Sequence, residues 1–151
     1  MKQFNIVDDI LDFAIANEIE AHKFYTDLAA KMNNRTMKQV FLDFAAEEQT
    51  HKKLLEDAKA GRKVLLSREK VANLKIAEFT VAVEPAPNMD FKDALILAMQ
   101  KEKKAFHLYS SLAHVVEDKA AAELFGSLAQ QEAKHKLRFE LEYDEIVLKE
   151  D

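Results

Sequence analysis

Apolar residues recur at helical spacing from early in the chain. Leu11, Ala14, Ala21, Tyr25 and Leu28 step by three, four or seven and form one stripe of an amphipathic helix over about residues 6–32. Asn5 or Asp8/Asp9 supplies a cap at its start, and Asn33-Asn34-Arg35-Thr36 is a polar break. The pattern resumes with Val40, Phe41, Phe44, Ala45, Leu54 and Leu55 and runs to Gly61, a residue that readily takes the left-handed conformation ending a helix. Because the break is short, the two helices are antiparallel neighbours. The same arrangement returns later: Asp90 caps a third helix, Val116-Glu117-Asp118 interrupts it, and a fourth runs from about Lys119 to about residue 148. Between the two hairpins, residues 62–89 differ in character, with a short helical stretch at Ser67–Ala72 and an extended one at Phe79–Val83 before Pro85 and Pro87. So long a connection is expected only if it must span the bundle. The pattern therefore predicts an all-α, antiparallel four-helix bundle: one hairpin at about 6–61, one long crossover at about 62–89, and a second hairpin at about 90–148.

Composition agrees. At 151 residues the chain fits a single domain spanning 1–151, able to bury roughly two-thirds of its unfolded surface in one core. Only 2 Gly and 2 Pro leave little turn chemistry, which favours long helices over many short strands. The net charge of −5 comes from interspersed signs with no basic block, so an electrostatic footprint for nucleic acid is missing. With no Cys in the sequence, disulfides, thiolate metal sites, iron–sulfur clusters and thiol catalysis are excluded together. No run of about 18 apolar residues and no apolar leader core occurs, so a cytoplasmic protein without a membrane span is expected.

The chain is also written twice. Moving the stretch from about Ile10 to Glu56 forward by 84 positions, without a gap, lays Glu18 on Glu102, Tyr25 on Tyr109, Glu48 on Glu132 and His51 on His135. Leu11/Leu95, Ala14/Ala98, Ala21/Ala105, Leu28/Leu112, Phe41/Phe125 and Ala45/Ala129 repeat with them. Glu18 lies inside the first apolar stripe and Glu102 inside the third, so both point inward. Burying an ionised carboxylate costs on the order of several kcal/mol unless a cation, a proton or hydrogen bonds compensate it. Glu48 and His51 are three apart, as are Glu132 and His135, which puts each pair on one helix face with Cβ atoms about 5–6 Å apart. Taken singly, a lone Glu reads as a snorkelling edge residue and one Glu-x-x-His as coincidence. The complete set in register is different: four carboxylates carry −4, and two divalent cations cancel it. Oxygen and imidazole donors suit iron or manganese, with zinc possible.

Other residues take supporting parts. Tyr25 and Tyr109 follow Glu18 and Glu102 by seven residues, on the same face two turns on, where their hydroxyls either bond ligand carboxylates or are satisfied elsewhere in ordinary core packing. Glu47 and Gln131 precede the motif glutamates and are placed to orient the opposite His through its free ring nitrogen. His22, His107 and His114 have no repeated partner and read as surface or packing residues.

This pattern of one Glu on each of two helices and Glu-x-x-His on each of two others resembles the ferritin-like di-iron carboxylate superfamily. Within it, Glu18-Ile19-Glu20-Ala21-His22-Lys23-Phe24-Tyr25 and Glu48-Gln49-Thr50-His51 look most similar to the rubrerythrins, over both hairpins. The resemblance implies a ferritin-like bundle with two irons held by Glu18, Glu48, His51, Glu102, Glu132 and His135, and peroxide reduction or ferrous-iron oxidation as the activity. Rubrerythrins proper add a rubredoxin-type domain with four cysteines, which this chain lacks, so an external electron donor such as a rubredoxin is implied. They also carry a further Glu where this sequence has Ala105. In bacterioferritins a haem-ligating Met stands where this chain has Gln49, so no haem is expected.

The leading expectation is thus a cytoplasmic di-iron oxidoreductase acting on peroxide or dioxygen in oxidative-stress defence, assembled as a homodimer. Two alternatives are a ferroxidase centre in an iron-storage cage and a non-catalytic bundle in which the metal supplies folding energy only.

Overall fold

The computed structural model describes residues 3–61 and 90–150. They form four helices: α1 (Gln3–Lys31), α2 (Arg35–Gly61), α3 (Phe91–Val115) and α4 (Lys119–Glu150). The expected crossover at 62–89 lies outside the described residues.

Three helix starts are fixed by short acidic or amide side chains that accept an otherwise unpaired backbone N–H. Asn34 Oδ1 accepts from Met37 N at 3.2 Å, Asp90 Oδ1 from Asp93 N at 2.8 Å, and Asp118 Oδ2 from Ala121 N at 2.9 Å. The cap predicted at Asp90 is therefore present. The one predicted at Asn5 or Asp8/Asp9 is not, because α1 already begins at Gln3 and these residues lie inside it. Asn and Asp are only mildly unfavourable in a helix interior, so they do not stop a helix whose later turns are anchored by burial.

The core is divided into two apolar clusters. One contains Leu11, Ala14, Leu55, Leu108, Tyr109, Leu112, Phe125 and Leu128. The other contains Phe24, Tyr25, Leu28, Met37, Phe41, Leu95, Ala98 and Phe139. Following the chain through them gives the topology. α1 passes from the first cluster to the second, α2 from the second to the first, α3 again from the second to the first, and α4 back to the second. Hence α1/α2 and α3/α4 are antiparallel pairs while α2 and α3 run the same way. Gly61 and Asp90 accordingly lie at opposite ends of the bundle, separated by the length of a 27-residue helix, about 40 Å at 1.5 Å per residue. That distance is the physical reason the two hairpins need a long link.

On every helix the change of cluster falls at the same level. Glu18 separates Ala14 from Phe24, Glu48 and His51 separate Ala45 from Leu55, Glu102 separates Ala98 from Leu108, and Glu132 and His135 separate Ala129 from Phe139. A polar layer thus crosses the middle of an otherwise apolar interior. Among the described residues no helix is long and apolar enough to cross a membrane.

Candidate metal centre

All six predicted ligands meet in this layer, and none is more than 4% exposed. Helical spacing brings them there: each Glu-x-x-His pair lies on one face, and the two lone glutamates arrive from α1 and α3. His51 Nδ1 is 3.2 Å from Glu48 Oε1, 3.2 Å from Glu132 Oε1 and 3.5 Å from Glu18 Oε2. His135 Nδ1 is 3.2 Å from Glu102 Oε1 and 3.8 Å from Glu48 Oε1. Two overlapping groups result, Glu18/Glu48/His51/Glu132 and Glu48/Glu102/Glu132/His135, and in each the donor atoms lie within 4.8 Å of one another. Glu48 and Glu132 belong to both.

These donors point at shared centres more than at one another. Glu48 Oε1, His51 Nδ1, Glu102 Oε2 and Glu132 Oε1 are buried without a hydrogen-bond partner. The approaches to His51 satisfy the distance of a hydrogen bond but not its angles, so they act as charge contacts. Buried polar atoms left unpaired are rare and costly, and here they form the oxygen and nitrogen surroundings that divalent iron, manganese or zinc accepts. The cluster fits a site for two metal ions.

Electrostatics gives the same result. Burial holds the Glu48 carboxyl well above the usual range, and the charges of Glu18 and Glu102 raise it further. Burial does the same to Glu132, helped by Glu102 and Glu48. For His51 burial opposes the imidazolium, yet Glu132 and Glu18 outweigh it and push the pKa up to about 10. His135 is raised too, against burial, by Glu102 and Glu47. Without a cation, protons must supply the missing positive charge.

Further polar side chains surround this layer. Tyr25 donates its hydroxyl to Glu102, and Tyr109 donates to Glu18 Oε2 at 2.5 Å. Each tyrosine thus holds the lone glutamate of the other hairpin, and burial followed by the nearby carboxylates keeps both phenols protonated. Glu47 Oε2 lies 2.8 Å from His135 Nε2. Among the described residues no hydrogen bond joins Gln131 to His51, so the second half of that expectation is not seen. His22 bonds the Ala45 carbonyl at 2.8 Å, a packing role between α1 and α2, and His107 and His114 are exposed.

Two features escape a reading by periodicity. The Phe44 ring stacks on the His135 imidazole at 3.9 Å between centroids; the sequence marks Phe44 as core but not as a neighbour of the opposite helix's ligand. Lys101 Nζ pairs with Glu20 Oε1 at 2.9 Å, joining α1 to α3 across 81 positions. Beside that pair, a cavity of about 40 Å³ reaches Glu18, Glu102 and both tyrosines, bounded by Ala21 and Ala105. One water needs at least about 10–15 Å³ measured this way, so the space suits a molecule of a few heavy atoms.

The fold recurs in solved structures. A hypothetical protein from Pyrococcus furiosus matches with a TM-score of 0.74 at 25% identity, covering 95% of this chain and 91% of that one. A protein from Thermotoga maritima, described as ferritin-like and diiron-carboxylate, matches with a TM-score of 0.74 at 23% identity, covering 92% of this chain and 95% of that one. No curated protein matches. The architecture is that of a ferritin-like four-helix bundle, in agreement with the expectation from the sequence. The rubrerythrin family model matches residues 9–143, nearly the whole length over which the six buried donors and their helices are distributed, and the chain belongs to the rubrerythrin family.

Proposed function

We propose that this protein is a di-iron oxidoreductase that reduces peroxide or dioxygen with electrons from an external donor protein. The observation that carries the reading is the pair of overlapping four-residue donor groups buried beside a cavity for a small molecule. Glu18 and His51 would hold one ion, Glu102 and His135 the other, and Glu48 and Glu132 would be shared by both. Two irons bound there would supply two one-electron changes, the number that peroxide takes up.

The protein's own part is to fix and protect that arrangement. Tyr25 and Tyr109 hold Glu102 and Glu18 in place by hydrogen bonds, so the carboxylates need not reorganise when charge changes. The apolar clusters above and below the layer keep bulk water out, while Ala21 and Ala105 leave room for a substrate of a few heavy atoms. Residues 1–151 contain no Cys to relay electrons, and a rubredoxin in a reducing cytoplasm is the proposed donor. A ferroxidase centre in a storage cage would use the same six side chains, and Ala105, which adds no carboxylate at the cavity wall, favours it as the second reading. Light scattering separates the two, because a homodimer counts against a cage.

Stopped-flow mixing of the ferrous protein with hydrogen peroxide tests the first reading. Oxidation should be fast in the wild type and slow in Glu48→Ala and His135→Ala. A wild-type rate no faster than that of the variants would overturn it.

A further inference from the structure

The duplication that builds the centre is broken directly behind the two imidazoles. His135 gives Nε2 to Glu47 at 2.8 Å and carries the Phe44 ring on its face, 3.9 Å away and inclined by 16°. Adding 84 to these numbers gives Gln131 and Leu128, a neutral amide and an aliphatic chain in place of a carboxylate and a ring. Among the described residues, no hydrogen bond joins Gln131 to His51. Both imidazoles present Nδ1 to the acidic layer, so Nε2 is where a second partner can alter the donor strength of the ring.

A carboxylate that accepts the Nε2–H of an imidazole fixes the tautomer with Nδ1 free, makes that nitrogen a stronger donor, and adds one negative charge close to whatever it binds. His135 has this partner, and among the described residues His51 has none. We propose that Glu47 is a positioning residue that makes the two metal positions unequal. The position of Glu102 and His135 then fills first, and that of Glu18 and His51 second. The inference rests on reading the six buried residues as metal ligands. Partners of this kind are worth about 10–100-fold in metal affinity.

Unequal binding steps alone do not test this, because two ions sharing Glu48 and Glu132 oppose each other even at identical positions. The test is isothermal calorimetry with Mn²⁺ on the full chain. In Glu47→Gln, which keeps all six ligands and the shape of the side chain, the first step should weaken about 10–100-fold while the second is unchanged. Of the single-position variants, His51→Ala should bind its one Mn²⁺ more tightly than His135→Ala, and adding Glu47→Gln should weaken the former only. Equal affinities in the two His variants, or a Glu47→Gln effect that persists when His135 is absent, would overturn the inference and leave the di-metal site standing. A wild type that binds no Mn²⁺ would overturn the site and the inference together.

Discussion

Metal binding to this protein should be an exchange of protons for cations, with a stoichiometry set by the buried layer. The four carboxylates carry −4, which four protons or two divalent ions cancel equally. Four groups in the layer hold protons more tightly than they would in water: Glu48 and Glu132 through burial and neighbouring carboxylates, His51 and His135 through the carboxylates around them. Loading the metal-free protein near neutral pH is therefore expected to release more than one and up to four protons per pair of ions. Each released proton strengthens binding tenfold per unit rise in pH, about 1.4 kcal/mol, so the two steps together should gain at most about 5.5 kcal/mol per pH unit, the limit at which all four protons leave. Calorimetric titration with Mn²⁺ in buffers of different ionisation enthalpy reads the number directly. Release of one proton or fewer for the pair would refute the argument, since the layer would then have to be neutralised by something other than protons in the metal-free state.

Further outcomes follow from the same geometry. Because Glu48 and Glu132 keep their protons above the ordinary value of 4.5 and His51 above 6.5, the folded metal-free chain binds more protons than the unfolded one. The contribution of these groups to stability is then fully present below about pH 4.5 and declines as pH rises, with the His51 part fully present below 6.5 and lost as pH rises through about 10. Thermal unfolding of the metal-free protein should show that fall, and Mn²⁺ should remove it. Tyr109→Phe deletes the 2.5 Å bond to Glu18 and leaves a buried acceptor unpaired, which should cost about 1–3 kcal/mol in urea unfolding. Phe139→Ala empties a wholly buried position packed against Phe41 and Phe44, with an expected loss of about 3–5 kcal/mol by the same assay.

Residue spacing carries most of the fold and the six donors because both depend on local periodicity. A helix face repeats every three or four residues, so Glu18 within the stripe of Ala14 and Ala21 already declares itself buried, and Glu48 and His51 declare themselves neighbours. What spacing does not carry are contacts between helices that share no register. The Lys101–Glu20 pair and the Phe44–His135 stack depend on how two hairpins pack, which no single-helix pattern encodes. The broken symmetry at Gln131 is a case between these. The sequence shows that the residue differs from Glu47, but only the packed bundle shows that Glu47 reaches His135 while, among the described residues, no hydrogen bond joins Gln131 to His51. The first helix cap failed for a different reason: α1 already begins at Gln3, and Asn and Asp, only mildly unfavourable inside a helix, do not mark its start.

The way the donors are apportioned has a mechanical consequence. Each donor group takes three residues from one hairpin and a single glutamate from the other, Glu132 in one case and Glu48 in the other. Neither hairpin can complete a cage by itself, so a pair of ions, once bound, would act as a double rivet through the seam. A chelator should therefore loosen the molecule along that seam, with each α-helical hairpin still intact, before either one unravels.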